Sequence, residues 1–509
     1  MFKLIDSFLN KTTMYRVVLY FLIFLVLVAI GLSAIGWLSY NPIAILFSVL
    51  FILTLCSILN VIFAWGFDAP ANVESVYITA LILALIIDPI TSANDPVFFS
   101  IAIWASVWAI ASKYIFAIGK KHIFNPAAIA VVITALTINQ SASWWVGTVA
   151  MAPFVLLGGL MIVKKIIRKD LVFSFFVVAT IATIYASYSS IGGIFNDIWR
   201  LYGSTAIMFF AFVMLTEPLT TPPTRWLRVA YGTIVGFLFF PSLHIGSIYL
   251  TPELALVLGN LFSYLVSPKE KLLLTLEQKK LVATSTYDFL FSADKNINYE
   301  PGQYLEWTIP ENGSDSRGNR RYFTIASSPT ERTINMGIKF YPKPSSFKKN
   351  LAAMKVGDKM VASQLAGDFT LPKNSKKKLV FIAGGIGVTP FRSIIKYLVD
   401  KKEKRDITIF YLNKTMEDVA YKDIFDTATS LLGIKVIYVF SDVPPGDYGP
   451  NVKFGTLDSK MITSEIPDYK DRYFYISGPH GLVSAFEGNL EKIGVPHRKI
   501  ISDFFPGFA

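Results

Sequence analysis

The sequence predicts two parts: a polytopic α-helical membrane domain, then a soluble part in which strands come first and strands and helices alternate later. Of the 509 residues, 53% are hydrophobic, and the mean hydropathy is +0.48. Such a chain is too apolar for a soluble protein of this length. The apolar excess lies in residues 15–267, whereas residues 268–509 carry most of the charge. We therefore predict a membrane domain over 1–267 and soluble structure from 268 onward.

About ten apolar segments in the first part are candidate membrane spans, because about 17 to 25 apolar residues can cross a bilayer core as a helix. They cover residues 15–38, 42–65, 75–88, 96–112, 125–139, 143–163, 171–189, 203–216, 226–241 and 251–267. Lysine and arginine concentrate in the even-numbered loops, and Arg200 is the exception. By the positive-inside rule, we expect a multi-pass protein of the cell membrane whose N-terminus and soluble part are cytoplasmic.

Charge and cysteine content argue against several classes of function. The formal net charge is +12, but the basic residues lie in loops beside apolar runs and over the soluble part, so we expect no nucleic-acid partner. Cys56 is the only cysteine, so we expect no disulfide, no iron–sulfur cluster and no cysteine-based metal site. The first 14 residues lack the small-residue cleavage pattern of a signal peptide, which predicts that the first span is retained.

Two of the candidate spans end in the same motif. LIIDPIT carries Asp88 and VMLTEPLT carries Glu217, and proline and threonine follow each acid. As spans three and eight they face opposite sides, which is typical of an inverted repeat of five helices. Matching proline-interrupted spans also indicate a central site where broken helix ends hold a ligand. The alternative is that acid, proline and threonine simply end a helix at the interface.

The loop SKYIFAIGKKHIFNPAA is a third feature of the membrane part, and it contains Lys121 and Asn125. Asn125 and Pro126 can begin a helix whose N-terminal amides face an anion such as a flavin phosphate. The alternative is a positively charged cytoplasmic loop that binds no ligand.

Residues 15–267 resemble the B subunit of the sodium-pumping NADH:quinone reductase (Nqr) and the D subunit of Rnf complexes. The resemblance lies in KYIFAIGKKHIFNPAA, in GGLMIVKK and in the paired acid-proline-threonine ends. It implies ten spans in an inverted repeat and flavins that carry electrons through the membrane. The covalent FMN of those families is attached to a threonine in a Ser-Gly-Ala-Thr type motif, which this sequence lacks. We therefore expect at most a non-covalent FMN or riboflavin in the membrane part.

The soluble part carries two groups of residues that suit a flavin nucleotide. RYFTIASSP places four candidates on one extended stretch: Arg321, Tyr322, Phe323 and Thr324. Arginine can pair with a pyrophosphate, an aromatic ring can stack on the flavin, and a hydroxyl can bond its edge. PKPSSFKKNL places three more where a helix begins and an anion is favoured: Ser345, Ser346 and Lys348. Alone, RYFT is also compatible with an ordinary barrel strand.

A glycine-rich turn follows the apolar strand KKLVFIAG. The turn and the helix after it supply five candidates: Gly384, Gly385, Gly387, Thr389 and Pro390. Glycines let a dinucleotide approach the backbone at the carboxyl end of a strand, and the helix N-terminus meets its phosphates. A later strand, DRYFYISGP, ends in three further candidates: Ser477, Gly478 and Pro479.

In this order and spacing, the motifs of residues 275–509 resemble the ferredoxin-NADP+ reductase superfamily. The resemblance implies an FAD-binding antiparallel β-barrel, assigned to 268–375, and a nucleotide-binding α/β domain, assigned to 376–509. It implies that RYFT and PKPSSFKK hold FAD, that the glycine turn receives the pyridine nucleotide, and that Gly478 and Pro479 border the nicotinamide. Thr324 and Ser477 then lie beside the hydride path. A C-terminal aromatic residue covers the flavin ring: Phe504, Phe505 or Phe508.

Together these features predict an NAD(P)H-dependent flavin oxidoreductase that takes hydride from NADH or NADPH onto FAD and passes electrons into the membrane part. The acceptor stays open between a quinone, a flavin and an extracytoplasmic flavoprotein. We expect no haem, because intramembrane haem needs paired histidines and the membrane part has only His122 and His244. The alternative is a redox-driven or redox-regulated ion or solute transporter, which would use Asp88 and Glu217.

Overall fold

A computed structural model gives the fold of the chain. It describes residues 9, 12–67, 73–118, 121–187, 193–203, 206–239, 244–245, 248–267, 271–310, 319–443, 446 and 448–503. The side chains of residues 121, 186, 244, 245 and 248 lie outside the description. The chain divides into two compact units, Met1–Lys269 and Glu270–Ala509. We call them the helical unit and the C-terminal unit.

Within its described residues, the helical unit forms ten helices of ten or more residues. They are α1 (Met14–Ala34), α2 (Pro42–Gly66), α3 (Val73–Ile86), α4 (Pro96–Ile115), α5 (Pro126–Ile138), α6 (Ala152–Ile166), α7 (Lys169–Ser187), α8 (Ile194–Gly203), α9 (Arg225–Leu238) and α10 (Pro252–Val266). A short helix, Ile207–Phe209, continues as the π-helix Phe210–Met214. Four helices start alike, because a side chain caps a backbone N–H and proline follows: Asn41, Asp95, Asn125 and Thr251.

Three of the described helices, α1, α2 and α4, are long and apolar enough to cross a membrane. The apolar helices α3, α5 and α10 are shorter. A bilayer core needs about 20 helical residues, and α8 has 10. The predicted segments do contain helices, but these lengths establish three candidate spans and not ten.

Three helix contacts in the first half of the helical unit have counterparts in the second half. In the first half, α1 packs on α3, α2 on α4, and α4 on α5. In the second half, α6 packs on residues 207–214, α7 on α9, and α9 on α10. The halves meet through α1 with α6 and through α5 with α10.

The C-terminal unit begins with a six-stranded antiparallel sheet. Its strands are β1 (Leu272–Ala283), β2 (Thr286–Ala293), β3 (Tyr304–Thr308), β4 (Arg320–Thr324), β5 (Ile334–Lys339) and β6 (Lys359–Ala366), in the order β4-β3-β6-β1-β2-β5. Trp307, Phe289 and Phe291 are fully buried inside its curve. The helix α11 (Ser346–Ala353) covers that core with Phe347 and Leu351.

The predicted β-barrel is a half-barrel. Pairing among the described strands runs from β4 to β5 and does not join these two edges into a closed ladder. Just beyond β4, however, the N–H of Ala326 donates to the carbonyl of Asn335 at 2.8 Å. The two edges therefore approach each other at the end of the strand that carries RYFT.

A parallel sheet follows. Its strands are β7 (Leu379–Gly384), β8 (Ile407–Asn413), β9 (Lys435–Phe440), β10 (Val452–Phe454), β11 (Tyr473–Ser477) and β12 (Ile500–Asp503), in the order β10-β9-β8-β7-β11-β12. Its helices are α12 (Thr389–Lys401), α13 (Lys422–Leu432), α14 (Ser459–Glu465) and α15 (His480–Lys492). The chain leaves β7 towards β10 and returns to place β11 on the other side of β7. A crevice therefore forms at the carboxyl ends of β7 and β11.

Candidate active site

The end of β4 and the start of α11 lie side by side. Arg321 is 3% exposed, and its guanidinium lies 5.4 Å from the centre of the Phe347 ring. The ring of Phe323 is 5.7 Å from the same ring. Ser345 caps α11 by accepting a hydrogen bond from the N–H of Lys348 at 3.3 Å. Phe347, which no sequence pattern singled out, thus joins the predicted arginine, aromatic ring and helix N-terminus.

Three other flavin candidates lie close to this group and have protein partners. The hydroxyl of Tyr322 donates to Oε2 of Glu306 at 2.7 Å. Nζ of Lys348 donates to the carbonyl of Lys339 at 3.1 Å. Ser346 is half-buried in the first turn of α11. Tyr322 and Lys348 therefore support the local structure of β4 and α11.

The glycine turn after β7 meets the loop after β11, backbone against backbone. A Cβ at Gly387 would lie 2.5 Å from Cα of Gly478 and 2.5 Å from the carbonyl oxygen of Ser477. A Cβ at Gly384 would lie 2.6 Å from the side chain of Leu482. Gly385 adopts a φ of +53°, a left-handed conformation that glycine favours. The two strand ends therefore form one backbone surface that a dinucleotide can approach.

The helix α12 begins at the far end of this turn. Thr389 is its first residue, and Pro390 follows. Proline suits the first turn of a helix because an N–H there has no intrahelical partner. Pro479 precedes α15 in the same way, directly after Gly478. Two helix N-termini, which favour negative charge, thus follow the two facing strand ends.

Thr324 and Ser477, the two predicted catalytic residues, meet at Asp503, the first residue of the C-terminal run DFFPGFA, for which no role was predicted. Oγ1 of Thr324 donates to Oδ2 of Asp503 at 3.5 Å, and Asp503 pairs with Ser477 across β11 and β12. Burial raises the pKa of Asp503 to about 7, although the hydrogen bond from Thr324 lowers it. A carboxyl that titrates near neutral pH can hold or release a proton at this position. Phe504, Phe505 and Phe508 lie outside the described residues.

The raised pKa of Asp503 predicts a pH-dependent stability. Burial of Asp503 favours its protonated form, so protonation contributes to the free energy of unfolding. This contribution is fully present below the ordinary aspartate pKa of about 3.9, and it is lost as the pH rises through the pKa of the folded protein, about 7. We expect the melting temperature of wild type to fall more than that of Asp503→Asn between about pH 5 and pH 8. Circular dichroism melts of both proteins measure this, and equal pH slopes would contradict it.

In the helical unit, the structure joins two of the membrane-site candidates, Asn125 and Glu217. Nδ2 of Asn125 donates to Oε2 of Glu217 at 2.9 Å, and Oγ1 of Thr220 donates to the same oxygen at 3.2 Å. Nε2 of His122 lies 3.2 Å from the other oxygen, Oε1. The neighbours offer hydrogen-bond donors to the carboxylate, so the cluster is suited to hold a negative charge.

Of the other two membrane-site candidates, Asp88 has a different hydrogen-bond partner. Oδ1 of Asp88 accepts a hydrogen bond from the hydroxyl of Tyr40 at 2.7 Å. The side chain of Lys121 lies outside the described residues. The two acid-proline-threonine motifs thus have different partners, and Asp88 and Glu217 belong to separate local environments.

Known proteins are similar to this chain mainly in its C-terminal half. A protein-family model described as the oxidoreductase NAD-binding domain matches residues 381–487. Flavohemoprotein A of Dictyostelium discoideum is 26% identical over 220 residues, which are 41% of this chain and 52% of that protein. NADH-cytochrome b5 reductase 1 of Ajellomyces capsulatus is 27% identical over 257 residues, 48% of this chain and 82% of that protein. The chain spans about half the length of the flavohemoproteins it matches.

A solved flavohemoglobin from Malassezia yamatoensis, with bound FAD and haem, is 18% identical and has a TM-score of 0.45. The match covers 81% of this chain and 98% of that chain. The expectation of no haem is contradicted, because flavohemoproteins are among the relatives. The histidine count addressed only paired ligands within the membrane, whereas haem iron is also held by a single protein ligand.

The comparisons bear differently on the two halves of the chain. They do not confirm the resemblance of the helical part to Nqr and Rnf subunits. They confirm the prediction of an NAD(P)H-dependent flavin oxidoreductase for the matched half, since the family model is an oxidoreductase NAD-binding domain and one relative is named an NADH-cytochrome b5 reductase. The C-terminal half carries an oxidoreductase NAD-binding domain.

Proposed function

We propose that the protein is a membrane-bound oxidoreductase that takes electrons from NADH through FAD and delivers them to a quinone-type acceptor in the membrane. The contact between Thr324 and Asp503 carries this proposal most strongly. This contact joins β4, which carries the predicted flavin-binding residues, to the parallel sheet, which carries the glycines predicted to bind the nucleotide. NADH is proposed as the donor because one relative is named an NADH-cytochrome b5 reductase.

The residues around β4 and α11 fit FAD. A buried guanidinium at Arg321 and a capped helix N-terminus at Ser345 suit a pyrophosphate, and the ring of Phe323 offers an aromatic face. When bound, FAD accepts a hydride from nicotinamide and can release electrons singly. Asp503, through the hydroxyl of Thr324, holds a proton at this end of β4.

The helical unit is proposed to span the membrane with the ten predicted helices in an inverted repeat. The matching helix contacts of its two halves support this arrangement. Reduction of a quinone consumes protons as well as electrons, and His122 with Glu217 is an imidazole–carboxylate pair that can supply them. These two groups therefore mark the region where we place the acceptor.

The full-length protein, purified in detergent, tests this function. Its flavins are identified by chromatography after acid precipitation, and its visible spectrum records any haem. NADH is then added without oxygen while the flavin absorbance is followed, first alone and then with a quinone. FAD that is bleached by NADH and reoxidised by the quinone is the expected result. A protein without FAD, or an FAD that NADH leaves oxidised, would refute the proposal.

Replacing Glu217 with glutamine should slow quinone reduction but not ferricyanide reduction. Loss of the carboxylate removes a proton-transfer contribution that is typically on the order of a hundredfold in rate. Ferricyanide takes electrons without protons and reports the C-terminal unit alone. Steady-state rates with the two acceptors measure the effect.

The matched control for this substitution is Glu74→Gln, which removes a half-exposed carboxylate from the same unit. Glu74 pairs with Arg16 at 3.4 Å, and its loss should leave both rates unchanged. If Glu217→Gln slowed the quinone and ferricyanide reactions equally, this would argue against a role of the cluster in quinone reduction.

A further inference from the structure

The segment after β4, the strand with the predicted flavin-binding residues, is hydrogen-bonded to α12. This helix begins directly after the glycine turn that is predicted to bind the nucleotide. Nη1 of Arg392 donates to the carbonyl of Ala326 at 3.1 Å, and Oγ of Ser393 donates to the carbonyl of Ser327 at 2.6 Å. Arg392 is 6% exposed, and Ser393 is fully buried. Ala326 is two residues beyond Thr324. The start of α12 therefore forms hydrogen bonds to the backbone just after the predicted flavin-binding strand β4.

Glu331 contacts both Arg392 and the backbone of this segment. Its two carboxylate oxygens accept hydrogen bonds from both terminal nitrogens of Arg392, with Nη2 at 2.9 Å from Oε1. Oε2 also accepts from the N–H of Ser328 at 2.6 Å. One carboxylate therefore fixes the arginine and the loop backbone together. Such a bidentate pair fixes orientation as well as distance.

Strand β5 of the half-barrel is also packed closely against α12 and Tyr421. A Cβ at Gly337 in β5 would lie 2.5 Å from the hydroxyl oxygen of Tyr421 and 2.8 Å from Cγ2 of Thr389. The guanidinium of Arg392 lies 5.5 Å from the centre of the Tyr421 ring. Strand β5 of the half-barrel is thus packed against the first residue of α12. Arg392 sits at the place where the half-barrel and the parallel sheet touch.

We propose that Arg392 and Glu331 are positioning residues that hold strand β4 at a fixed place relative to the N-terminus of α12. This inference rests on the proposed function, because it requires the flavin at β4 and the nucleotide at α12. An ion pair shielded from solvent adds little net stability relative to apolar residues of similar volume, because desolvation offsets its attraction, although removal of one partner alone leaves an unpaired charge and destabilises the fold. Misplacing two reacting groups by about 1 Å, in contrast, can cost on the order of a hundredfold in rate. The pair therefore acts mainly on rate.

The test uses the full-length protein with Arg392→Gln, Glu331→Gln and the double variant. We expect each to lower kcat for NADH-driven ferricyanide reduction roughly tenfold or more, with FAD content and the KM for NADH changed less than about twofold. The double variant should be no slower than the single variants, because both remove the same pair. Hydrogen exchange should accelerate at the backbone amides of residues 325–328, which is a readout independent of turnover.

Two further variants separate positioning from a loss of folding. Lys422→Gln breaks an exposed pair with Asp426 and should match wild type in rate and exchange. Arg392→Lys keeps the positive charge but not the planar fork, so it should fold like wild type and recover only part of the rate. A wild-type protein that fails to oxidise NADH would refute the proposed function itself. A wild-type kcat in Arg392→Gln and Arg392→Lys, or an additive double variant, would overturn the positioning role.

Discussion

Replacing Gly387 with alanine is expected to weaken NADH-dependent reduction strongly while FAD stays bound. The new Cβ would lie 2.5 Å from Cα of Gly478 and from the carbonyl oxygen of Ser477, and backbone atoms cannot rotate away as a side chain can. The turn after β7 or the loop after β11 must shift, at a cost of about 1 to 3 kcal/mol. Either shift breaks the surface proposed for the dinucleotide. We expect the KM for NADH to rise by roughly a hundredfold, since about 1.4 kcal/mol is a factor of ten.

Gly481, three residues beyond Gly478, supplies the matched control. A Cβ at Gly481 would meet nothing within 4 Å, and the residue lies in the first turn of α15. Gly481→Ala should therefore titrate with NADH like wild type. Flavin bleaching against NADH concentration, without oxygen, compares the three proteins. An unchanged KM in Gly387→Ala would show that nicotinamide nucleotide binds elsewhere.

Replacing Arg321 with alanine is expected to strip FAD from the protein. Its guanidinium is buried against Phe347, and a guanidinium forms charge-assisted hydrogen bonds to phosphate. Hydrogen bonds to charged groups contribute about 1.5 to 3 kcal/mol each, so FAD affinity should fall by roughly tenfold to a hundredfold. The FAD content after gel filtration and the Kd from flavin fluorescence measure the loss.

The neighbouring arginine controls for charge. The side chain of Arg320 is 37% exposed and lies 3.7 Å from a carboxylate oxygen of Glu306. It points to a different partner, so Arg320→Ala should retain FAD like wild type. Equal loss of FAD in both variants would mean that general positive charge, and not the position of Arg321, retains the flavin.

Features fixed by a few neighbouring residues were predictable from the sequence. The glycine requirement at Gly387 and the helix start at Thr389 follow from turn and helix chemistry, which depends on local residues. Ser345 was expected at a helix start and caps α11 through the N–H of Lys348. The roles of these residues towards cofactors remain predictions, since their positions alone do not show binding.

Features that join distant parts of the chain were not predictable. Asp503 opens the C-terminal run DFFPGFA, but its contact with Thr324 exists only because β12 forms the edge of the parallel sheet. Glu331 and Arg392 are 61 residues apart, and neither lies in a motif that suggests pairing. Phe347 reads as an ordinary core residue until α11 places it between Arg321 and Phe323.

The membrane part was the least predictable for a physical reason. Hydropathy detects apolar runs, but a helix in such a run can be much shorter than the run itself. Residues 203–216 illustrate this, because the helix Ile207–Phe209 passes into the π-helix Phe210–Met214 within the segment. The half-barrel shows the same limit for strands, since alternation predicts β4 and β5 but not whether these edges pair.

The separation of Thr324 and Asp503 by 179 residues also bears on how the protein folds. The hairpin of β1 and β2 closes over a few residues, so the half-barrel has local contacts with which to begin. The contact of Thr324 with the parallel sheet, in contrast, must await the synthesis of every strand up to β12. Long-range pairings carry a large loop-closure entropy and fold slowly. The flavin-type half of the site can thus assemble on the ribosome well before the nucleotide-type half exists.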